Sequence, residues 1–305
     1  FLVVFGHIIQ PFTDGSHGVN TLYMVIYTFS MPAFIFTAGF FAKGSGNITY
    51  IVNLAKKLLV PYLIFQLIYT GYYFLIGKSG WLNSMIEPHW ALWFLVSLFS
   101  WHLMLCLYKK IPPYIGIPLS ILVGILVGYI GDIGHTLSLS RTFVFFPFFL
   151  IGFWLTKEQV KLVKHKSVKI IGLLVIVLVS VAIYIAPEFN SGWLLASKSY
   201  GELGLPEYGG FARLLVYATS TLMSISVLAW IPNSHSRLTK LGTRTLYVYL
   251  LHGFFIQFFR EANWFAVNNV LDVFGLALIS AAIVYVLSSK PILGISQPFI
   301  EGKIT

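Results

Sequence analysis

Charge is what this chain has least of. Only 10% of its 305 residues are charged, acids number 10, and 57% are hydrophobic. A soluble domain carries about a quarter of its residues as Asp, Glu, Lys and Arg, so this composition excludes one and implies a polytopic membrane protein. Cysteine is nearly absent as well. The single Cys106 rules out an internal disulfide and a cysteine-based structural zinc site, and its place inside an apolar run reads as packing. No metal is expected. The chain also lacks a soluble insertion, a cleavable signal pattern and the internal repeat that marks many transporters.

What the chain has instead is long apolar runs. They fall near residues 1–12, 20–41, 58–77, 92–108, 112–130, 142–156, 170–186, 211–231, 245–260 and 267–289, and most are long enough to cross a hydrocarbon core of about 30 Å at about 1.5 Å per residue. The expected fold is therefore all-α, a bundle of about ten transmembrane helices, with residues 1–305 forming a single integral-membrane domain. The first run is too short to span and has no initiator Met, so the beginning of its helix is expected to be missing. Lys43, Lys56, Lys57, Lys109, Lys110, Lys157, Lys161, Lys164, Lys166, Lys169, Arg237, Lys240, Arg244, Lys290 and Lys303 fall on one side of this ten-run parse. Only Lys78, Arg141, Lys198, Arg213 and Arg260 fall on the other. The positive-inside rule makes the richer side cytoplasmic and puts both termini there, in the plasma membrane. The net charge of +10 then reads as topology and attraction to anionic lipid, and no nucleic-acid partner is implied.

Polar residues inside these runs narrow the chemistry. His7 stands within Phe1-Leu2-Val3-Val4-Phe5-Gly6-His7-Ile8-Ile9, and an ionisable group at such depth is a functional candidate by default, the alternative being a packing hydrogen bond. Its ring titrates near neutrality, which suits proton transfer. Gln10 shares its helical face, Pro11 marks a bend, and Asp14 beyond could orient the ring or merely cap the helix. Thr245, Tyr249 and His252 recur at one helical face of the ninth run. His252 is either a second functional ring or a packing group.

Three further groups stand at the interfaces. Trp90 and Trp93 open the fourth run after Glu87-Pro88-His89, as an aromatic belt would, with Trp93 deep enough to stack on a sugar ring. Arg141 is held on the lysine-poor side, which implies a partner such as Asp132 or an anionic ligand group, with His135 nearby in sequence. Lys56 and Lys57, with possible help from Arg244, form a cationic mouth that could hold phosphates or simply mark topology. The connection 187–210, rich in Gly and carrying Trp193, Tyr200 and Tyr208, reads as a packed lid. Gly124 and Gly128 are spaced for close helix contact.

In order along the chain, the blocks Phe1-Leu2-Val3-Val4-Phe5-Gly6-His7, Met31-Pro32-Ala33-Phe34-Ile35-Phe36, Lys56-Lys57-Leu58-Leu59-Val60-Pro61-Tyr62, Leu92-Trp93-Phe94-Leu95, Ser140-Arg141-Thr142-Phe143 and Tyr249-Leu250-Leu251-His252 resemble the membrane acyltransferase-3 family, in particular its fucose 4-O-acetylase-like branch. The resemblance implies ten core helices and transfer of an acyl group, acetyl above all, from cytoplasmic acyl-CoA to a hydroxyl of an extracytoplasmic cell-envelope carbohydrate. It matches His7 to the family's first-helix histidine and Lys56-Lys57 to a basic motif linked to acyl-CoA. The basic residue that many members carry upstream of that histidine falls before residue 1, so its role is assigned to none of the residues here.

The chemistry expected is direct transfer. His7, oriented by Asp14, takes the hydroxyl proton, and Tyr249, His252 or a backbone amide faces the oxyanion. Acceptor contacts are expected from Trp93, Arg141, His135 and Asp132, and donor contacts from Lys56, Lys57, Arg244, Tyr249 and His252. The competing class is a transporter or exporter of a carbohydrate or small anion, in which the same residues would line a path.

Overall fold

A computed structural model describes residues 1–42, 46–79, 82, 87–131, 136–232, 234 and 237–302. Its described residues form helices and turns without a strand. Every apolar run becomes a helix: α1 (Leu2–Ile9), α2 (His17–Phe41), α3 (Ile48–Leu75), α4 (Trp93–Tyr108), α5 (Pro113–Val127), α6 (Leu139–Trp154), and further on α8 (Lys166–Ile185), α10 (Gly209–Trp230), α12 (Thr245–Glu261) and α13 (Val270–Leu287). Four more were not anticipated, namely α7 (Lys157–Val163), α9 (Gly192–Leu195), α11 (Arg237–Gly242) and α14 (Lys290–Glu301).

The chain is a multi-pass membrane protein, although ten is the number of apolar helices and not of full-length spans. Among the described residues, 6 helices are long and apolar enough to cross a bilayer, or 7 if α6 and α7, bent by 105°, are taken as one span. The segment Leu2–Phe12 and α5 are shorter apolar helices.

The chain divides into two compact units, to which α2, α3 and α4 each contribute. The first comprises Phe1–Tyr23, Asn53–Val96 and Pro232–Thr305. In it α1 packs against α12 and α13. From α3 the buried residues Tyr62, Phe65, Gln66, Tyr69 and Tyr73 recur at helical spacing, so one face of the helix points inward. Two tyrosine hydroxyls of α3 bond the neighbouring backbone: Tyr69 donates to the Leu250 carbonyl at 2.8 Å, and the half-buried Tyr72 to that of Phe254 at 2.6 Å. Such bonds hold two apolar helices in register where no water competes.

The second unit comprises Met24–Val52 and Ser97–Ile231. Here α5 packs on α6 and α8 on α10. Between α2 and α6 the backbones themselves approach closely. A Cβ on Gly39 would stand 2.9 Å from the Phe149 carbonyl carbon, and one on Gly152 would stand 2.9 Å from that of Phe36. Both positions therefore need glycine for room, and the two backbones meet without side chains between them. Gly124 and Gly128 are packing sites as the spacing predicts, the first under the Tyr217 hydroxyl and the second under the Tyr200 ring. The connection 187–210 is packed: Trp193 and Tyr200 are buried with rings stacked at 5.5 Å, and buried Arg213 donates to the Trp193 carbonyl at 2.6 Å. Cys106 is half-buried, its thiol directed to the His102 carbonyl.

Candidate functional site

In the first unit, two histidines from opposite ends of the sequence meet. His7 lies in the last turn of α1, just before a short 3-10 turn, Gln10–Phe12, that carries Pro11 where the bend is expected. His252 lies midway along α12, about 12 Å from either end of that helix at about 1.5 Å per residue. Their ring centroids are 5.7 Å apart with an interplanar angle of 29°. Trp90 completes the group, 4.4 Å from the His7 ring and 5.2 Å from that of His252. Gly253 admits this packing, because a Cβ there would stand 3.0 Å from both the Tyr69 and Trp90 rings.

The hydrogen-bonding state of His252 follows from its surroundings. Its Nδ1 lies 2.9 Å from the Val248 carbonyl and 2.7 Å from the Tyr249 carbonyl. Carbonyl oxygens only accept, so Nδ1 must carry the proton and Nε2 the lone pair. That Nε2 atom is buried and has no hydrogen-bond partner, in a side chain only 1% exposed. A neutral acceptor locked in one tautomer and left unpaired in an apolar interior is unusual, since buried polar atoms are nearly always satisfied. It also means that His252 accepts before it can donate. The oxyanion-donor role expected of this ring is therefore open to it only after it has gained a proton.

His7 is half-buried and is held through its backbone. Arg260, near the end of α12, donates from Nη2 to the His7 carbonyl and to Gln10 Oε1, both at 2.7 Å. The same guanidinium lies 5.6 Å from the Trp90 ring centroid, a cation–π contact. One charged group thus ties α1, α12 and Trp90 together. A cavity of about 60 Å3 flanks it, lined in part by Ile8, Pro11, Phe12 and Ile256.

Trp90 is positioned by a clamp from α3. The side-chain amide of Gln66 donates to the Glu87 carbonyl and accepts from the His89 backbone N–H, both at 2.9 Å. Thr70 Oγ1 donates to the Gln66 carbonyl at 2.8 Å, so it must accept from His89 Nε2, also at 2.8 Å. His89 is thereby held as the Nε2–H tautomer. Burial first, and Lys78 second, push its pKa below the ordinary 6.5. Just beyond, Trp90 has a φ of 35°, a left-handed conformation that costs a bulky residue about 1–3 kcal/mol and persists only when its surroundings over-determine it. Lys78 braces the far side, donating to Gln257 at 2.8 Å and pairing with Glu261 at 3.2 Å.

Of the residues singled out in the sequence, the structure brings together His7, His252 and Tyr249, whose ring is 6.4 Å from that of His252 and whose hydroxyl donates to the Ala91 carbonyl. Asp14 lies in the exposed turn beyond Pro11, where Thr13 Oγ1 donates to it at 3.4 Å. Trp93 is buried with its ring edge-on to Phe94. Lys56 and Lys57 are exposed on α3, and Arg244 caps α12 with one guanidinium arm on the Ser288 carbonyl. Arg141 is half-buried in the first turn of α6, in the second unit. Asp132 and His135 lie outside the described residues. Trp90, Arg260 and Gln66 are the site residues the sequence alone did not single out. Trp90 reads there as interfacial belt and Arg260 as a topological charge.

A family model described as an acyltransferase domain matches residues 1–289. The chain belongs to the acyltransferase-3 family. No curated protein and no solved structure compared with it matches. A membrane acyltransferase needs a base to activate the accepting nucleophile and a place for the proton.

Proposed function

We propose that this acyltransferase is an O-acetyltransferase of the fucose 4-O-acetylase-like branch, in the plasma membrane with both termini cytoplasmic. It moves acetyl from cytoplasmic acetyl-CoA to a hydroxyl of an extracytoplasmic cell-envelope glycan. The observation that carries the reading is the unpaired Nε2 of His252 beside His7. The hydroxyl oxygen attacks the thioester carbonyl while His7 takes the hydroxyl proton. His252, with its Nδ1–H fixed on two carbonyls, accepts a hydrogen bond from the His7 imidazolium and so steadies it. The tetrahedral intermediate collapses with loss of the carbon–sulfur bond, and the proton held by His7 passes to the departing thiolate. Trp90 offers a flat apolar face against which a sugar ring packs.

The nucleotide end of acetyl-CoA stays at the cytoplasmic mouth, because its phosphates cannot enter apolar surroundings. Lys56 and Lys57 are exposed and Arg244 is about 12 Å of helix from His252, which suits phosphates held at the mouth and a flexible arm reaching inward. The test is transfer of labelled acetyl from acetyl-CoA to candidate glycans by the purified, reconstituted protein. Acetylation of the glycan that vanishes in His7→Ala supports the reading; carriage of the glycan across the bilayer without acetylation overturns it.

A further inference from the structure

The second unit contains a cavity of about 300 Å3, walled by Phe36 and Phe40 of α2, Ile151 of α6, Val160 and Val163 of α7, and Ile225 of α10. That volume is at the lower end of the range for ligand pockets, about 300–1,000 Å3. Its wall is almost wholly apolar. The two threonines that line it, Thr37 and Thr221, donate their hydroxyl protons within their own helices, to the Ala33 and Tyr217 carbonyls at 2.8 Å. Nothing in such a wall grips a sugar or a nucleotide, and an alkyl chain is what it solvates.

The one charged residue in the lining is Lys164. Its Nζ donates to carbonyls at the end of α10, that of Leu228 at 2.5 Å and that of the capping residue Ile231 at 2.6 Å. Burial, and then Lys169, push its pKa below the ordinary lysine value, so an anion beside it would relieve crowding of positive charge. More cations stand close by: Lys157, Lys161 and Lys164 recur at one helical face of α7, with Lys166 following, and Glu158 is the sole acid of that stretch. The 105° bend turns α7 off the α6 axis, leaving Val160 and Val163 over the cavity and exposed lysines beside them, the pattern of a helix lying in a membrane interface. Neighbouring α8 has a mean hydropathy of 2.8 and is almost entirely unburied by the rest of the protein, so lipid is what surrounds this region.

We propose that this cavity is a binding site for one anionic phospholipid, its acyl chain between α2, α6 and α10 and its phosphate at Lys164 with Lys161. The site is independent of the transfer chemistry, and the acyl chain would complete the packing beneath α7. Charge complementarity selects the occupant, because each basic residue near an anionic surface favours it by about a five-fold factor in binding.

The probe is phosphatidylglycerol carrying a photoreactive diazirine in its acyl chain, used with the whole protein in phosphatidylcholine vesicles and compared with phosphatidylcholine carrying the same group. Cross-linking is expected on peptides containing Phe40, Ile151 and Ile225, and several-fold stronger from the anionic lipid. Lys161→Ala, at an exposed position, should reduce that labelling about five-fold. Ile225→Trp should fill the cavity and abolish it, with an unchanged thermal midpoint showing that the fold survives. Equal labelling by the two lipids, or labelling insensitive to Lys161→Ala, overturns the proposal. Suppression by millimolar acetyl-CoA also overturns it, since the cavity would then hold the donor's alkyl arm.

Discussion

Replacing His252 by Asn separates the two things its ring does. The Asn amide nitrogen falls close to where Nδ1 now sits, so donation to the Val248 and Tyr249 carbonyls, at 2.9 and 2.7 Å in the native ring, can persist. The lone pair at Nε2 cannot. If His7 can hold the proton only with that lone pair to steady it, the loss should cost the whole of general-base catalysis, which is about 10²–10⁴-fold. His252→Ala goes further. It removes a ring only 1% exposed, and emptying so buried an aromatic site costs about 3–5 kcal/mol by analogy with other aromatic truncations. Turnover of labelled acetyl-CoA, the Michaelis constant for acetyl-CoA and the thermal midpoint should be measured on both variants in the same lipid. The expected pattern is a folded Asn variant with turnover down at least about 100-fold and near-native donor affinity, beside an Ala variant that is both inactive and less stable. A folded Asn variant that keeps more than about a tenth of the native rate refutes the reasoning, because even the smallest general-base contribution exceeds that.

Other consequences can be tested in parallel. Lys56→Ala with Lys57→Ala should raise the apparent Michaelis constant for acetyl-CoA more than it changes the limiting rate, as read from initial-rate curves; an unchanged constant moves the phosphate site elsewhere. Gln66→Leu should leave the buried His89 N–H unsatisfied, costing about 1–3 kcal/mol, and should let Trp90 relax, visible as a shift in tryptophan fluorescence with loss of activity. His89 has a folded-state pKa below its unfolded 6.5, so the unfolded chain binds the proton more readily. Its contribution is complete above the unfolded value and is lost as pH falls through the lowered folded one. Thermal stability should therefore drop on acidification below about pH 6.5, and His89→Gln should flatten that drop. Gly152→Ala should lower the thermal midpoint by the equivalent of about 1–3 kcal/mol or more, since its methyl overlaps the Phe36 carbonyl.

The apolar runs were legible because hydropathy acts locally: a long stretch of Val, Ile, Leu and Phe has no low-energy state in water, and each such stretch here is a helix. The bend at Pro11 was legible for the same reason, as proline removes a donor wherever it falls. The short helix α7 escaped notice because its signal is polar. α7 begins at a capping box between Thr156 and Gln159, which hydropathy does not register. His7 and His252 stood out individually as titratable groups in apolar surroundings. Their meeting did not, since 244 intervening residues carry no local trace of which helices pack. Arg260 was hidden by its surroundings in sequence, where an arginine at a helix end looks like any topological charge, and only the fold aims it at the His7 carbonyl. Trp90 was hidden because its value lies in an unfavourable backbone angle that the Gln66 clamp imposes from another helix.

The meeting of Gly39 with Phe149 and of Gly152 with Phe36 has a mechanical consequence for the second unit. Where helices are spaced by side chains, rotamer changes let them slide and breathe, and neighbouring substitutions reset the gap. At the two glycine contacts of this crossing main-chain atoms meet directly, and these have no rotamers to exchange. The joint between α2 and α6 therefore behaves as a weld: whatever motion the unit undergoes must be taken up in other helices, with this pair moving as one rigid beam.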